Sequence, residues 1–438
     1  MTNILNVLKK KKLRLPLLLF FLTVLLAGAY FWQRRTIVIR LGIYSGSSWD
    51  VPNSKDNRVI DSAIAVFEAE HPNVKVVYDS GIPKDDYSSW LSDSILRGKQ
   101  PDLFMVPEDD FSLLSSAGAL RNLSSLIEND LDTGAYYSSS LTAGQYKGEY
   151  YALPFEANPI MMCVNKDLLE KEGLSLPDKD WTLADFYRIC QAVTKDTDGD
   201  GVVDQYGSTD YTWQQALLAY GGEIYDQNTN QLTVASGKMR KALSFISKLE
   251  ALTDNIKVSS EDFDQGKVAF YPMTLAQYRT YKPYPYHVAK YSSFSWTCIQ
   301  MPAEEKNDNA TEIQTSLFAM SAKTRHSDLV WDFLKILSSR SEIQQELVDK
   351  SQGMSVLQPV MTSEKTQDAL NSDELGTNSL SISTLNQMMS DSKIPPRFKH
   401  YDDVMLKLDH LIEQALAAKT IDSELWTIQR AVEEELDD

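Results

Sequence analysis

A nine-residue acidic loop carries the clearest chemical pattern in the sequence. It reads Asp196-Thr197-Asp198-Gly199-Asp200-Gly201-Val202-Val203-Asp204. Aspartates stand at positions 1, 3, 5 and 9, a glycine at position 6 permits a sharp turn, and the carbonyl of Val202 falls at position 7, as in calcium-binding loops. Position 12 is Gly207, where such loops carry a bidentate glutamate. The pattern predicts a structural Ca²⁺ site formed by Asp196, Asp198, Asp200, Val202 and Asp204, with a solvated Asp/Gly turn as the alternative.

Short catalytic motifs are absent from the sequence. It contains no HExxH, no GxSxG and no phosphate-binding loop, and its five histidines, at 71, 287, 326, 400 and 410, form no cluster. The 61 acidic residues make some pair at a glycosidase-like separation inevitable, so their abundance does not argue for that enzyme class. The sequence therefore predicts no catalytic residue and no required cofactor, with an extracellular glycosidase as a less favoured alternative.

Charge and cysteine content exclude further classes of protein. Residues 1–40 hold eight basic residues and no acidic one, so the remaining residues carry a formal charge of −26 within a total of −18. Such an acidic body repels phosphate backbones, and no nucleic-acid binding is expected; a neutral or cationic ligand suits it better. Cys163, Cys190 and Cys298 are few, odd in number and widely spaced, which argues against a disulfide framework and favours buried apolar thiols.

The segment Leu15–Trp32 predicts the compartment. It has 18 residues without a charge and ends in three aromatic residues. As a helix it would span roughly 27 Å, just enough for the hydrocarbon core of a bilayer. The basic cluster Lys9–Arg14 precedes it, so the N-terminus should stay in the cytoplasm and the body should lie outside. We expect a membrane anchor at the extracellular face; the alternative is a signal peptide cut after Ala29, which would give a secreted protein.

Hydrophobic patterning beyond residue 36 predicts an α/β fold. Strand patterns at 36–44, 74–78 and 102–106 alternate with helical patterns at 59–67 and 87–97, which is typical of a parallel sheet. Short strand patterns at 150–153 and 160–164 flank a turn-like segment, Pro154–Pro159. Beyond Asn165 the chain is mostly helical, although strand patterns return at 268–271, 297–301 and 317–320.

This interleaving predicts two lobes between which the chain crosses more than once. The first α/β lobe is expected to contain residues 36–155 and 270–322. The second, more helical lobe is expected to contain residues 156–269 and 323–438, and residues 1–35 form the basic tip with the anchor or signal segment. The tryptophans on amphipathic patterns, Trp181, Trp331 and Trp426, are expected in the core.

Seven segments, taken in order, carry a resemblance to a known family. They are IRLGIYSGSSWD (39–50), PDLFMV (101–106), YKGEYYALPFEANPIMMCVNKDLLEKEGL (146–174), DTDGDGVVDQYG (196–207), GGEIYDQNTNQLTV (221–234), FDQGKVAFY (263–271) and LFAMSAKTRHSDLVWDFLKILSS (317–339). In their order and spacing the chain resembles the extracellular solute-binding proteins of carbohydrate ABC importers. The resemblance covers residues 36–438.

The resemblance implies a fold and a function. The fold is a two-lobed clamp, like that of periplasmic binding proteins, with interleaved lobes and crossing hinge strands. The function is capture of a carbohydrate, such as an oligosaccharide, by a monomer that delivers it to the permease subunits of an ABC transporter, without catalysis. A membrane-tethered sensor that presents its closed form to a receptor kinase is the alternative, because tethering would serve both roles.

A carbohydrate cleft requires aromatic rings for sugar C–H faces and carboxylates or amides for hydroxyl groups. Loops that follow the strands of α/β lobes commonly position such residues. Trp49 and Asp50 follow the first strand, and the alternative for Trp49 is a surface position covering the sheet edge. Glu108 and Asp109 follow the buried strand at 102–106, and their alternative is an N-terminal cap of the next helix.

Further candidates come from the resemblance alone. Glu156 and Asn158 lie in the crossing turn where the family contacts its sugar, with turn chemistry as the alternative. Trp213 matches a stacking position of the family, with core packing as the alternative. The remaining matches are Met273, Tyr278, Gly353 and Met354. The family's Gly-Ser-Trp after FDQGKVAFY is replaced here by Pro272-Met273-Thr274-Leu275-Ala276, so one stacking aromatic residue is missing.

Overall fold

The computed structural model describes residues 36–49, 51, 57–79, 81–227, 229–254, 256–281, 294–372, 380–398 and 400–437. The expected anchor or signal segment and Asp50 lie outside this part of the chain. Within it, no helix combines the length and the apolar character needed to cross a membrane.

The described strands form one large sheet and two short hairpins. The strands are β1 Ile37–Gly42, β2 Val74–Tyr78, β3 Leu103–Val106, β4 Gln145–Tyr146, β5 Glu149–Tyr150, β6 Leu153–Asn165, β7 Tyr206–Ser208, β8 Tyr225–Asp226, β9 Gln231–Leu232, β10 Val268–Thr274, β11 Trp296–Ile299, β12 Thr311–Met320 and β13 Ser392–Lys393. The large sheet has the order β2-β1-β3-β12-β6-β10-β7, with β11 beside β6 and β13 beside β12. Strand β1 pairs in parallel with β2 and β3, whereas β12 runs antiparallel to β3 and β6.

Helices surround this sheet. They are α1 Arg58–Glu70, α2 Lys84–Leu96, α3 Phe111–Ser116, α4 Ser124–Asp130, α5 Ser138–Thr142, α6 Lys166–Lys171, α7 Leu183–Val193, α8 Trp213–Ala219, α9 Gly237–Leu252, α10 Ser260–Asp264, α11 Leu275–Tyr281, α12 Ser327–Ser339, α13 Ser341–Lys350, α14 Gln358–Met361, α15 Glu364–Ser372, α16 Ile382–Ser390, α17 Tyr401–Ala418 and α18 Ile421–Asp437. Local sequence sets several starts: Thr212 and Gln215 form a capping box that begins α8, because each side chain bonds the other's backbone N–H.

Two clusters of buried apolar residues define the lobes. The first lies around β1–β3 and includes Ile39, Leu103 and Phe104. The second lies around α7–α9, α17 and α18. Within the described residues three crossings connect the lobes: the first runs along β6, the second lies before β12 and the third follows α16. Buried residues of β10 contribute to both clusters, and those of α11 and β11 contribute to the first. These passages are the crossing strands of the predicted two-lobed α/β clamp, and strands β6, β12 and β13 lie side by side there.

The packing corrects the predicted lobe boundary at residue 323. Beyond residue 323, the buried residues Val330, Leu347 and Met389 belong to the first cluster, and those that belong to the second begin at Phe398. The reason is that α12 and α13 pack on α1, so this helical stretch covers the sheet of the first lobe. Helical content alone therefore did not indicate the lobe.

The predicted turn at Pro154–Pro159 is also wrong. Strand β6 continues through it from Leu153 to Asn165. The pairing register with β12 shifts between Ser316 and Leu317, opposite the start of this segment, and the irregularity lets a proline-containing strand remain in the sheet.

Candidate functional site

A cavity of about 210 Å³ lies where the lobes meet, and we call it the interlobe cavity. Its first side is the segment after β3, its floor is β12, and its other side is the third crossing together with the start of α17. The lining residues are Glu108, Asp109, Ser112, Glu312, Gln314, Pro395, Pro396, Arg397, Phe398 and Tyr401. The first lobe, β12 and the start of α17 thus contribute side chains to one cavity.

Arg397 connects the third crossing to the first lobe. Its Nη2 lies 3.3 Å from Oε1 of Glu108, and its guanidinium stands 4.8 Å from the centre of the Phe111 ring. Its Nη1 donates to the carbonyl of Ala143. Burial lowers the pKa of Arg397 and the charge of Glu108 opposes this, whereas burial raises the pKa of Glu108 against the attraction of Arg397. The pair fixes one wall of the cavity by mutual neutralisation.

The other carboxylates around the cavity are not neutralised in this way. Burial, reinforced by the charge of Glu108, raises the pKa of Glu312 to about 7. Burial, together with the charge and a hydrogen bond of Asp109, raises the pKa of Asp402, in the first turn of α17, to about 6. Arg397 is the one cationic side chain among the described residues that line the cavity. The cavity is therefore rich in hydrogen-bond acceptors and carries excess negative charge.

Aromatic rings supply the apolar part of the site. Tyr401 lines the cavity, and its ring meets that of Phe398 edge-on with 5.3 Å between centroids. Phe398 in turn stacks on Tyr225 of the second lobe at 4.6 Å and 25°. The buried Phe398 thus supports Tyr401 from behind, and Tyr401 offers a ring beside the carboxylates.

Sequence reasoning found only part of this cavity. Glu108 and Asp109 are in it, as expected from their position after a buried strand. The missed lining residues with polar or aromatic side chains are Ser112, Glu312, Gln314, Arg397, Phe398 and Tyr401. A usable signal was present in the last three, because a Pro-Pro-Arg-Phe segment directly before a helix indicates an ordered connection that ends in ligand-type residues.

Glu156 lies in the strand that crosses between the lobes, but not in the interlobe cavity. Its Oε1 accepts bonds from the backbone N–H of Gly353, at 2.9 Å, and from the hydroxyl of Ser351. Burial raises the pKa of Glu156, and those hydrogen bonds oppose the shift. Arg279 donates to the carbonyl of Gly353 at 3.0 Å. Met354, next to this glycine, exchanges backbone hydrogen bonds with Ala157, so the segment closes over β6.

The side-chain amide of Asn158 also finds its hydrogen-bond partners within the protein. Its Nδ2 donates to Oε1 of Gln314 at 3.1 Å, and its Oδ1 accepts from the backbone N–H of Ala276 at 2.9 Å. The side chain of Asn158 is fully buried, and that of Glu156 is almost fully buried. We call Glu156, Asn158, Arg279, Ser351 and Gly353 the hinge network, because each bonds a partner beside the crossing strand β6. These bonds hold the crossing together, and the ligand contacts expected of Glu156, Asn158 and Gly353 stay predictions.

Trp213 packs in the core of the second lobe, which was the alternative to a stacking role. It is 7% exposed, belongs to the second cluster, and its Nε1 donates to Asp409 on α17 at 2.7 Å. Met273 and Tyr278 are also buried, and Tyr278 meets Trp296 edge-on at 5.2 Å. Trp213, Met273 and Tyr278 thus lie in the core, and the ligand contacts that the resemblance implied for them stay predictions.

The sequence also predicted positions for four further tryptophans. Trp49 is half-buried in the loop after β1, where its backbone N–H donates to Ser47, and it does not line the interlobe cavity. Trp426 was expected in the core, and this is wrong, because 63% of it is exposed. It follows Leu425 on α18, and Leu425, Ile428 and Val432 form the buried face of that helix. Trp181 and Trp331 are buried as expected.

The acidic loop brings three of its four aspartates together. Carboxylate oxygens of Asp196, Asp198 and Asp200 lie within 4.8 Å of one another. The carboxylate of Asp204 instead accepts bonds from the backbone and side chain of Thr197, at 2.9 and 2.7 Å.

The same aspartates also bond the backbone of the loop. Asp196 accepts from the N–H groups of Gly199 and Gly201, which lowers its pKa, and Asp200 accepts from the N–H of Val202 at 2.8 Å. Gly199 and Gly201 have positive φ, as such a turn requires. The loop is therefore folded by its own hydrogen bonds, and calcium binding stays a prediction.

Comparison with known proteins agrees with this architecture. A sequence profile described as bacterial extracellular solute-binding protein matches residues 47–342. A maltotriose-binding protein of Pyrococcus abyssi is 25% identical over 183 residues, which span 42% of this chain and 38% of that protein. A mannitol-binding protein of Pseudomonas aeruginosa is 26% identical over 203 residues, spanning 44% of this chain and 45% of that protein. The matched region is thus less than half the length of either relative.

Solved structures share the fold at lower identity. The sugar-binding protein MalE of Xanthomonas citri aligns with a TM-score of 0.75 and 16% identity, over 91% of this chain and 97% of that one. The cyclic alpha-maltosyl-1,6-maltose binding protein of Arthrobacter globiformis aligns with a TM-score of 0.74 and 18% identity, over 91% and 99%. These alignments confirm the two-lobed α/β fold. Since the family profile matches more than half of the sequence, the chain belongs to the family of bacterial extracellular solute-binding proteins.

Proposed function

We propose that the protein captures a carbohydrate in the interlobe cavity, outside the cell, and delivers it to the permease of an ABC transporter. One observation carries the proposal: carboxylates from the first lobe and from β12 face an aromatic ring from the start of α17 across one cavity. Family membership supports a solute-binding role. The names of relatives that bind maltotriose, mannitol or cyclic maltosyl sugars support the carbohydrate class.

The cavity suits the two faces of a sugar. Hydroxyl groups would donate to Glu108, Asp109 and Glu312, while the amide of Gln314 can both donate and accept. The C–H face of a pyranose ring would stack on Tyr401. Because the excess charge is negative, a neutral or cationic sugar fits better than an anionic one, which would be repelled.

Closure follows from the distribution of these groups. A ligand shifts an open–closed equilibrium only when it binds the closed form more tightly, and contacts from both lobes provide that difference. Glu108 and Asp109 belong to the first lobe, whereas Tyr401 and Phe398 begin the return into the second. In this proposal the hinge network stays intact while the cavity closes around the sugar. An N-terminal segment that stays in the membrane would keep the clamp close to its permease.

The experiment is a ligand screen of the full-length protein in mild detergent. Melting temperature is measured with neutral malto-oligosaccharides, mannitol, amino sugars and sugar acids, because a ligand that binds only the folded state raises it. Neutral or amino sugars should raise the melting temperature, and sugar acids should not. Failure of every saccharide would overturn the carbohydrate assignment.

The site is then tested by calorimetry with the best sugar. Tyr401→Ala should weaken binding by about 1–3 kcal/mol, the scale of a lost aromatic contact in a desolvated cleft. Trp426→Ala, which removes an exposed ring of α18, is the matched control and should leave affinity unchanged. Equal affinities in both variants would remove the interlobe cavity as the site, and scattering on saturation should show compaction if the clamp closes.

A further inference from the structure

Two of the three cysteines lie directly opposite each other on neighbouring strands. Strands β6 and β11 are antiparallel, and their register pairs Cys163 with Cys298. Both side chains are buried, with exposures of 0% and 4%. Opposed residues of an antiparallel pair project to the same face of the sheet, so the two thiols share one buried space.

The hydrogen-bond pattern places the two cysteines at the type of position where opposed Cα atoms lie closer together. The backbone N–H of Lys166 donates to the carbonyl of Ser295 at 2.8 Å, and these two residues continue the β6–β11 register. They therefore form a hydrogen-bonded pair, and such pairs alternate with non-hydrogen-bonded ones along the ladder. Counting from Lys166 to Cys163, the cysteines occupy a non-hydrogen-bonded position. Cα atoms there are about 4.5 Å apart, which lies within the range that a disulfide spans.

We propose that Cys163 and Cys298 form an intramolecular disulfide when the protein folds outside the cell. The thiolate of one cysteine attacks a small-molecule disulfide of the glutathione type and releases one thiol as the leaving group. The thiolate of the second cysteine then attacks the mixed disulfide and releases the other thiol. Two cysteine thiols lose two protons and two electrons in total, and the external disulfide takes them up as two thiols.

The third cysteine has a different place in the fold. Cys190 lies on α7 and is buried beside Gly207, away from the β6–β11 ladder. The odd number of cysteines thus resolves into one cross-strand pair and one buried thiol. The pair also joins β6, the first crossing, to the strand that precedes the second crossing. Because the thiols are buried, the bond forms as β11 docks, and an already folded, reduced protein reacts slowly.

The test is thiol counting on the full-length protein exported by cells. Free thiols are blocked with iodoacetamide in denaturant, and the protein is examined by intact mass and peptide mapping before and after reduction. We expect one blocked residue, Cys190, a linked peptide pair containing Cys163 and Cys298, and two additional blocked residues after reduction. Three blocked cysteines, both in exported protein and in protein refolded with oxidised glutathione, would overturn the proposal.

Variants separate this pairing from other links. Cys190→Ser should keep the linked peptide pair, whereas Cys298→Ala should lose it and show two blocked thiols. A linked peptide that contains Cys190 in the unmodified protein would contradict the assignment. As an independent readout, the oxidised protein should melt at a higher temperature than the reduced protein, and this difference should vanish in Cys298→Ala.

Discussion

The hinge network and the interlobe cavity both place carboxylates beside the crossing strands, but in different surroundings. Glu156 receives hydrogen bonds from Ser351 and Gly353. Around the cavity, Arg397 neutralises Glu108, and Glu312 has a pKa raised to about 7. The first set of groups is satisfied within the fold. The second retains acceptor capacity and charge that a ligand can use.

The difference separates residues that hold the clamp from residues that we propose to bind the ligand. A buried polar group with its partners in place costs little in the unliganded protein, and its removal disrupts the fold. A carboxylate kept partly unneutralised at a lobe interface lowers stability, and function can maintain it. Changes in the hinge network and cores should therefore reduce stability first, and changes around the cavity should act on binding and on pH dependence.

The largest expected effect is in the core of the second lobe. Trp213→Ala should destabilise the protein by about 3–5 kcal/mol, since it removes a buried ring and leaves Asp409 without its indole donor. Denaturant unfolding measures the loss, and Trp426→Ala is the control, which should change stability little because that ring is mostly exposed. A stable Trp213→Ala protein that had lost only ligand affinity would return Trp213 to the binding site.

Gly353 gives the next largest effect, in the hinge network. A Cβ at this position would come closer than 3.0 Å to atoms of the Glu156 side chain, so Gly353→Ala must displace a buried carboxylate. We expect roughly 2–3 kcal/mol of destabilisation by thermal or denaturant unfolding, as for an overpacked core. Gly237→Ala is the control, because its Cβ would meet nothing within 4 Å and the residue lies at the start of a helix. Equal stability of the two variants would mean that the hinge network can rearrange around an added methyl group without loss of stability.

The sequence predicted the fold well because its signals are local. Strand β2 was predicted with its observed bounds, and the first three strands appeared in the expected order with intervening helices. Glu108 and Asp109 were found because a polar residue after a buried strand must emerge at the sheet edge. Helical periodicity on α18 should have excluded Trp426 from the core, since Leu425, Ile428 and Val432 already define the buried face.

The remaining part of the site depended on non-local packing. Arg397 and Tyr401 reach the cavity only because the chain leaves the first lobe after α16. The Pro-Pro-Arg-Phe pattern indicates an ordered connection there, but not where that connection runs. Glu312 precedes the strand pattern predicted at 317–320, whereas the observed strand β12 begins at Thr311 and pairs there with β13. The resemblance implied ligand contacts for Glu156, Asn158 and Trp213. Their hydrogen-bond partners lie far away in the sequence, so no local pattern could predict them.

Glu312 provides a pH test of the cavity. Its pKa is about 7 in the folded protein and near 4.5 when unfolded, so the folded state binds more protons between these values. Stability should therefore be fully present below about pH 4.5 and should fall as the pH rises through about 7. Because Glu312 is only half-buried, we expect a loss of about 1–2 kcal/mol.

Glu312→Gln should remove that part of the pH dependence. The measurement is the free energy of unfolding at several pH values between about 4.5 and 8. The control is Glu434→Gln, on the exposed face of α18, which should follow the unmodified protein. Parallel curves for Glu312→Gln and the unmodified protein would show that Glu312 is solvated, and the contrast between the hinge network and the cavity would weaken.

The smallest expected effect concerns the acidic loop, which extends the comparison to exposed carboxylates. If Asp196, Asp198 and Asp200 bind Ca²⁺, the site lacks a bidentate glutamate and Asp204 bonds Thr197, so affinity should be in the weak, extracellular range. Millimolar Ca²⁺ would then stabilise the protein by about 0.5–1.5 kcal/mol, because a ligand that binds only the folded state stabilises it by RT ln(1 + [L]/Kd). A chelator should lower the melting temperature, and Asp200→Ala should abolish the response. Asp254→Ala, in a separate turn outside the loop, should leave it intact. A melting temperature that chelator and Ca²⁺ leave unchanged would mean that the loop's own hydrogen bonds suffice to fold it.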